Sequence, residues 1–347
     1  MRAAIITGRS TIEFQDMPSP VPAPGGVVVD IGYCGICGSD VHAFAHGGPY
    51  PPTLCGHEWM GVVSACGAGV PSAMEGERVS VGIFPACGQC PECRAGHTNW
   101  CVTSLSSIGT DPAGSRHGGY APQVAASASR LVTVPSAISD AAAAMIEPAT
   151  VAYHGVRRSG IELGDTVVVQ GVGPIGALSL QWAKVGGAGQ LLVVEPSPAR
   201  HALALALGAD LVVAPGEEAE QAVRERTGGL GADVVIECAG VPSAIQSAVD
   251  LARRGGQVML IGLSDLPATI TPTTWLVKEV VVRSSIAYIR PDFDDCIAML
   301  ADGRIVAEPL HTSTVGLDGL VAAFESLAAG GADQTKVLVD PRREGGT

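Results

Sequence analysis

The run Cys34-Gly35-Ile36-Cys37-Gly38-Ser39-Asp40-Val41-His42, answered by Gly56-His57-Glu58, brings two thiols, two imidazoles and two carboxylates into a short span of chain. Thiolate, neutral imidazole and carboxylate are the ligands that zinc takes, and a catalytic zinc uses three protein ligands with a fourth position left open. Cys37 and His57 are read as two such ligands, with Glu58 beside them as an acidic candidate. Gly35 and Gly38 flank Cys37 and predict a tight turn that exposes its sulfur. A hydroxyl, Ser39, follows Cys37 by two residues, and an imidazole, His42, by five.

A second metal pattern lies further on. Cys87, Cys90, Cys93 and Cys101 follow one another at spacings of two, two and seven intervening residues. Four thiolates around a tetrahedral ion make a closed, structural zinc site with no position for a substrate. Common iron–sulfur spacings differ from this one. His97 lies inside the lobe and is not needed as a ligand. Cys34, Cys55 and Cys66 are read as small buried apolar residues.

The third pattern is Gly171-Val172-Gly173-Pro174-Ile175-Gly176, set between the apolar run Thr166–Gln170 and a helical stretch over Ala177–Val185. A GxGxxG turn alone is a weak signal. A strand before it, a helix after it and an acid ending the next strand make it a dinucleotide fingerprint. That acid is Glu195, after Leu191–Val194. The glycines let the backbone approach a pyrophosphate and the helix N-terminus favours its charge. A carboxylate at Glu195 accepts ribose hydroxyls and repels a 2′-phosphate, so NAD is expected over NADP. Cys238, ending a later strand, is expected to edge the cofactor.

Composition bounds the classes. With 347 residues and 47% hydrophobic content, two domains with full cores are expected. The net charge of −13 argues against nucleic acid or an anionic membrane surface as partner. No apolar run is long enough for a transmembrane helix, and the N-terminus does not read as a signal peptide. Ten cysteines in a chain expected to be cytoplasmic read as metal ligands sooner than disulfides.

The elements that must position these residues are legible in outline. Ala3–Ile6 and Val27–Ile31 read as strands separated by a proline-rich segment. From about residue 151 strands and helices alternate. Strands are expected at 166–170, 191–194, from 208–210, at 232–240, 258–261 and 279–284, giving a doubly wound parallel sheet. Arg253 and Arg254 are assigned to a helix C-terminus. Phe293–Leu300 reads as helix and Lys336–Val339 as a closing strand; the tail Asp340–Thr347 is expected to fray. The domains are then residues 1–150 with 288–347, β-rich and zinc-binding, and 151–287, dinucleotide-binding.

CGICGSDVH followed by GHE, the four-cysteine lobe, the glycine turn and Glu147-Pro148 together resemble the zinc-containing medium-chain alcohol dehydrogenases, nearest the sorbitol, threonine and butanediol dehydrogenase branch. The resemblance covers essentially the whole chain. It implies a GroES-like catalytic domain joined to a Rossmann domain, and one catalytic and one structural zinc per chain. In that family Ser39 bonds the substrate oxygen and His42 passes a proton to water. Glu147, where the horse-liver kind has a cysteine, is a ligand directly or through water, and Glu58 competes with it. Arg200 matches a basic residue near the adenosine. His117–Ala121 matches a glycine-rich turn with a structural role.

The stretch Ala43–Pro52 matches the family's substrate wall. It is a few residues shorter here and offers Phe44 and Tyr50. The resemblance further implies hydride transfer between NAD and a secondary alcohol or polyol, and a homotetramer or dimer. The alternative is a zinc- and NAD(P)-dependent reductase of a biosynthetic carbonyl or iminium intermediate.

Overall fold

The computed structural model describes residues 1–82, 86–103, 111–331 and 333–343; of the tail, 344–347 lie outside the described residues. The chain divides into two compact units, Met1–Glu147 with Ile289–Thr347, and Pro148–Tyr288.

The first unit is built on the strand Gly26–Gly35, whose apolar residues are buried on both faces. It pairs antiparallel with Glu58–Cys66, Gln123–Ser127 and Lys336–Val339. Arg78–Val81 and Leu131–Thr133 extend the sheet on one side and His311–Val315 on the other. Val27, Val29, Ile31, Val63, Val79 and Phe324 belong to one buried cluster, and each such side chain contributes about 1.5–3 kcal/mol on leaving water. The expected first strand is found as Arg2–Gly8, in a hairpin with Thr11–Asp16. The closing strand Lys336–Val339 returns the C-terminal segment to this sheet, against Cys34 and Gly35.

Register decides what the sheet brings together. Gly35 stands opposite Glu58 on one neighbour and opposite Leu338 on the other. A Cβ at Gly35 would collide with Glu58 Oε2 and press on Lys336 Cδ. Only glycine leaves the space in which those two side chains meet.

The second unit is a six-stranded sheet. Its order is Leu211–Val213, Gln190–Val194, Thr166–Gln170, Ala232–Glu237, Ala252–Leu260, Val281–Ser284, and every pairing is parallel. This is the doubly wound order in which the first strand sits at the point of reversal. The central strands carry Val167–Val169 and Val234–Ile236 fully buried, as a sheet covered on both faces requires.

Boundaries differ from expectation in places. The helix after the glycine turn is Pro174–Val185, with Gly173 as N-cap. It starts three residues early because proline, lacking an N–H, is well suited to the first helical position. The fifth strand begins at Ala252, so Arg253 and Arg254 lie in the strand and not at a helix end. Arg253 reaches Asp233 on the neighbouring strand at 2.5 Å. Among the described residues no helix is long and apolar enough to cross a membrane.

Candidate metal and dinucleotide sites

Strand Gly26–Gly35 hands the chain to Ile36 and Cys37, and Cys37 is the N-cap of the helix Gly38–His46. A thiolate there faces the positive end of the helix. His57 directly precedes the strand Glu58–Cys66. The Cys37 sulfur, a ring nitrogen of His57 and a carboxylate oxygen of Glu58 all lie within 4.8 Å of one another. Of the ligand candidates the sequence offers, with the acid left open between Glu58 and Glu147, these are the three that the fold brings together. Glu147 falls outside that trio; it is buried, and its charge acts on both His57 and Lys336.

His57 Nδ1 faces the Leu54 carbonyl at 2.9 Å and Asp40 Oδ1 at 3.8 Å. With its proton on Nδ1 donated to that carbonyl, Nε2 keeps a lone pair for a metal. Burial alone would push the His57 pKa down. The Cys37 thiolate and the Asp40 carboxylate outweigh it and hold the pKa well above the ordinary value. A buried imidazole drawn toward its cationic form marks a cluster short of positive charge. Cys37, Asp40, Glu58 and Glu147 supply four negative charges, Lys336 offsets one of them, and a divalent ion would offset two more. The donor set, one sulfur, one nitrogen and one oxygen, fits zinc.

Lys336, read from the sequence only as the start of the closing strand, is 2% exposed and donates to Glu58 Oε2 at 2.5 Å and to the Ile36 carbonyl at 3.0 Å. Burial works against its charge, but Glu58 and Cys37 hold its pKa above the usual lysine value. The one available signal was a lysine opening an otherwise apolar strand. Asp40 was also passed over, although it lies within the motif. It is fully buried and accepts from Tyr50 Oη and Tyr120 Oη, each at 2.7 Å. Tyr120 therefore does more than support a turn, as its motif alone implied: it anchors the acid that faces His57.

Ser39 and His42 share one face of the helix Gly38–His46, three residues apart. The Ser39 hydroxyl donates to Cys37 Sγ at 3.2 Å and lies 3.4 Å from Tyr50 Oη. The His42 ring packs on that of exposed His46, with centroids 4.5 Å apart. Phe44 is not a substrate wall. The helix continues to His46 and turns Phe44 into the core, 2% exposed, against Phe324 at 5.3 Å between ring centres.

The four-cysteine lobe assembles as its spacing implied. The sulfurs of Cys87, Cys90, Cys93 and Cys101 lie within 4.8 Å of one another. Tetrahedral zinc holds its sulfurs about 3.8 Å apart, from a Zn–S bond of about 2.3 Å. Backbone N–H groups of Cys87, Cys90 and Cys93 donate to the sulfurs of Cys101, Cys87 and Cys90 at 3.3, 3.4 and 3.4 Å. The Gln89 N–H helps to hold the Cys87 thiol below its ordinary pKa. His97 pairs with Glu92 at 3.1 Å and stacks on Trp100, outside the cluster. Cys34 and Cys55 are buried as expected, whereas Cys66 is only half-buried.

In the second unit Gly171 takes φ +83°, and a Cβ on Gly176 would collide with the Gly171 carbonyl oxygen. Side chains at either position would close the turn. Glu195, 2% exposed, accepts the N–H of Val172 at 2.8 Å and of Ser197 at 2.9 Å, tying the strand-end acid to the glycine turn. Arg200 is half-buried, in the helix Pro198–Ala206 that follows. Cys238 lies beneath the first turn of Pro174–Val185, its Sγ 3.7 Å from Ser179 Oγ, and burial pushes its thiol up to about 12. Pro174 and Ile175 open that helix, and its N-cap, Gly173, makes no side-chain cap hydrogen bond; a helix N-terminus of this kind favours a phosphate.

Comparison with known proteins agrees with this geometry. Residues 23–136 match the alcohol dehydrogenase GroES-like domain and residues 174–302 the zinc-binding dehydrogenase domain. The chain is 34% identical to 2-dehydro-3-deoxy-L-galactonate 5-dehydrogenase of Pseudoalteromonas atlantica, over 99% of this chain and 100% of that one. It is 32% identical to (R,R)-butanediol dehydrogenase of Neisseria gonorrhoeae, over 98% and 99%. A crystal structure described as a short chain alcohol dehydrogenase from E. coli CFT073, complexed with NADH, superposes with a TM-score of 0.88 at 30% identity, covering 98% of this chain and 99% of that one.

Proposed function

The chain belongs to the zinc-containing medium-chain alcohol dehydrogenase family, and from that premise we propose that it transfers hydride between NAD and a secondary alcohol or polyol. The observation that carries the reading is the convergence of Cys37, His57 and Glu58, with the Ser39 hydroxyl beside Cys37. Relatives that act on a butanediol and on a sugar acid favour this over reduction of a biosynthetic carbonyl or iminium.

Cys37, His57 and either Glu58 or Glu147 hold the catalytic zinc, and Glu58 is the better placed of the two acids. When bound, zinc supplies Lewis-acid polarisation of the alcohol oxygen and the nicotinamide supplies a hydride acceptor. The protein's own work is to orient and to move a proton. Asp40 and the Leu54 carbonyl fix the His57 ring. Ser39 Oγ accepts the substrate hydroxyl, and His42, on the same helix face, passes the proton to water. Cys87, Cys90, Cys93 and Cys101 hold a structural zinc. Elemental analysis of the purified protein is expected to return two zinc ions per chain; a value of one would remove one of the two sites.

Gly171, Gly173, Pro174, Ile175 and Gly176 receive the cofactor pyrophosphate, and Glu195 the adenosine ribose, with Arg200 and Cys238 beside them. Glu195→Ala is expected to lower kcat/KM with NAD about 10- to 100-fold, the worth of a hydrogen bond to a charged group. NADP should suffer less, because the repelling carboxylate is gone. An unchanged ratio of the two would take Glu195 out of the specificity argument. Spectrophotometric screening for NADH formation across secondary alcohols, diols and polyols tests the whole reading. No turnover of any of them would sink it.

The strand Val281–Ser284 is an edge of the six-stranded sheet. Around it in sequence Leu263, Leu266, Leu276, Val277 and Ile286 are exposed. An open edge beside apolar side chains is what a second copy of the chain covers by symmetric strand addition, which supports a homodimer or a tetramer built from it. Ten cysteines, none of them in a disulfide among the described residues, fit a reducing, cytoplasmic setting.

A further inference from the structure

We propose that His42 and His46 form a third, exchangeable metal site, which takes a zinc ion from solution at the surface of the helix Gly38–His46. It is separate from the Cys37, His57 and Glu58 group and from the four-cysteine lobe. Its effect on turnover rests on the dehydrogenase reading above; the site itself does not. His42 and His46 are four residues apart, so they stand one turn from each other on one helix face. Two histidines at this spacing are how a helix offers both imidazoles to one ion. The rings meet, with centres 4.5 Å apart and planes tilted by 48°. Two imidazoles on neighbouring positions of one ion have ring centres about 4.5–5 Å apart, from metal–nitrogen bonds of about 2.0–2.1 Å. The pair therefore already has the separation that shared coordination requires.

Position on the helix adds to this. His46 lies in the last turn and Gly47 is the C-cap. The carbonyls there form the negative end of the helix, which favours a cation. His46 is exposed and His42 half-buried, so an ion reaches the pair from water. Neutral imidazole suits zinc, copper and nickel. Among the described residues, the groups of three or more metal-ligating side chains include neither histidine. Water therefore fills the other positions on the ion. Two imidazoles hold zinc less firmly than four thiolates close around it, so this ion exchanges while the lobe keeps its own. Occupation has a consequence for the reaction, because His42 is the proton exit. A relay through imidazole takes a proton on one ring nitrogen and releases one from the other, and zinc on either nitrogen blocks that exchange. Excess zinc then slows alcohol oxidation at its proton-release step and leaves substrate binding alone.

The test compares the zinc-loaded wild type with His46→Gln, both first freed of loosely held metal by a mild chelator. Equilibrium dialysis against a zinc salt is expected to add one ion per chain to the wild type. His46→Gln is expected to bind that ion at least about 10-fold more weakly, since losing even a group that only supports a ligand costs a metal site that much. Nickel should follow the same pattern. In alcohol oxidation, added zinc is expected to lower kcat of the wild type with KM unchanged, and the chelator to restore it. The same zinc should leave kcat of His46→Gln near its value without added metal. No additional ion in the wild type, or equal binding by the two proteins, would overturn the site. An ion bound at the pair with kcat unaltered would overturn its effect on proton release. Should the wild type oxidise no alcohol, the dehydrogenase reading fails by itself while the dialysis still decides the site.

Discussion

Cys37→Ser is expected to cost at least about 1,000-fold in kcat/KM, the scale of the several kcal/mol that Lewis-acid polarisation supplies. The substitution is nearly isosteric, so the fold has little reason to change. What changes is the donor. A serine hydroxyl does not ionise where a thiolate does, and soft sulfur is the ligand that anchors zinc beside His57 and a carboxylate. Cys37 also accepts the Ser39 hydroxyl at 3.2 Å, so the variant disturbs that group too. NAD affinity should hold, because the glycine turn and Glu195 belong to the other unit. The zinc content should fall from two per chain to one, with thermal unfolding close to wild type. Full turnover with one zinc ion would place the chemistry elsewhere in the molecule.

Lys336→Met should be the most damaging single change to the stability of the first unit. It removes the partner of a buried carboxylate and leaves both Glu58 and the Ile36 carbonyl without their donor. Breaking one side of a buried pair costs about 3–5 kcal/mol, because a charge is stranded out of water. Exposed pairs such as Arg304 with Asp302 are worth far less, typically under about 1 kcal/mol. The double variant Lys336→Met, Glu58→Gln removes the stranded charge and is expected to recover much of the loss. Thermal or chemical denaturation of the metal-free protein reads both effects without interference from zinc. A Lys336→Met chain as stable as wild type would mean that Glu58 finds its compensation from another group.

Several site residues were legible because their chemistry is local. Cys37, Ser39 and His42 stand within six residues, and His57 and Glu58 are adjacent. Three of the four lobe cysteines recur at every third position, a spacing that folds sulfurs around one ion without help from the rest of the chain. The glycine turn announces itself because a βα junction that approaches a phosphate forbids side chains at fixed places. The alternation of strand and helix from residue 166 to 284 is likewise written in runs of valine and in helix-starting prolines.

Other features had no local signature. Asp40 gains meaning only when Tyr120, 80 residues away, lays its hydroxyl on it. Lys336 meets Glu58 across 278 residues, and the meeting depends on the strand Lys336–Val339 docking in one register beside Gly35. Phe44 looks like a wall residue in a list of letters, but helix phase sends it into the core. Sequence by itself determined the kinds of donor atoms, their order and the class of each half of the chain, since propensity, spacing and ligand chemistry act over a few residues. Tertiary structure alone decided which acid faces the sulfur and imidazole, which lysine restrains it and which tyrosines brace the hydroxyl and the ring, because burial and strand register are properties of segments brought together from opposite ends of the chain.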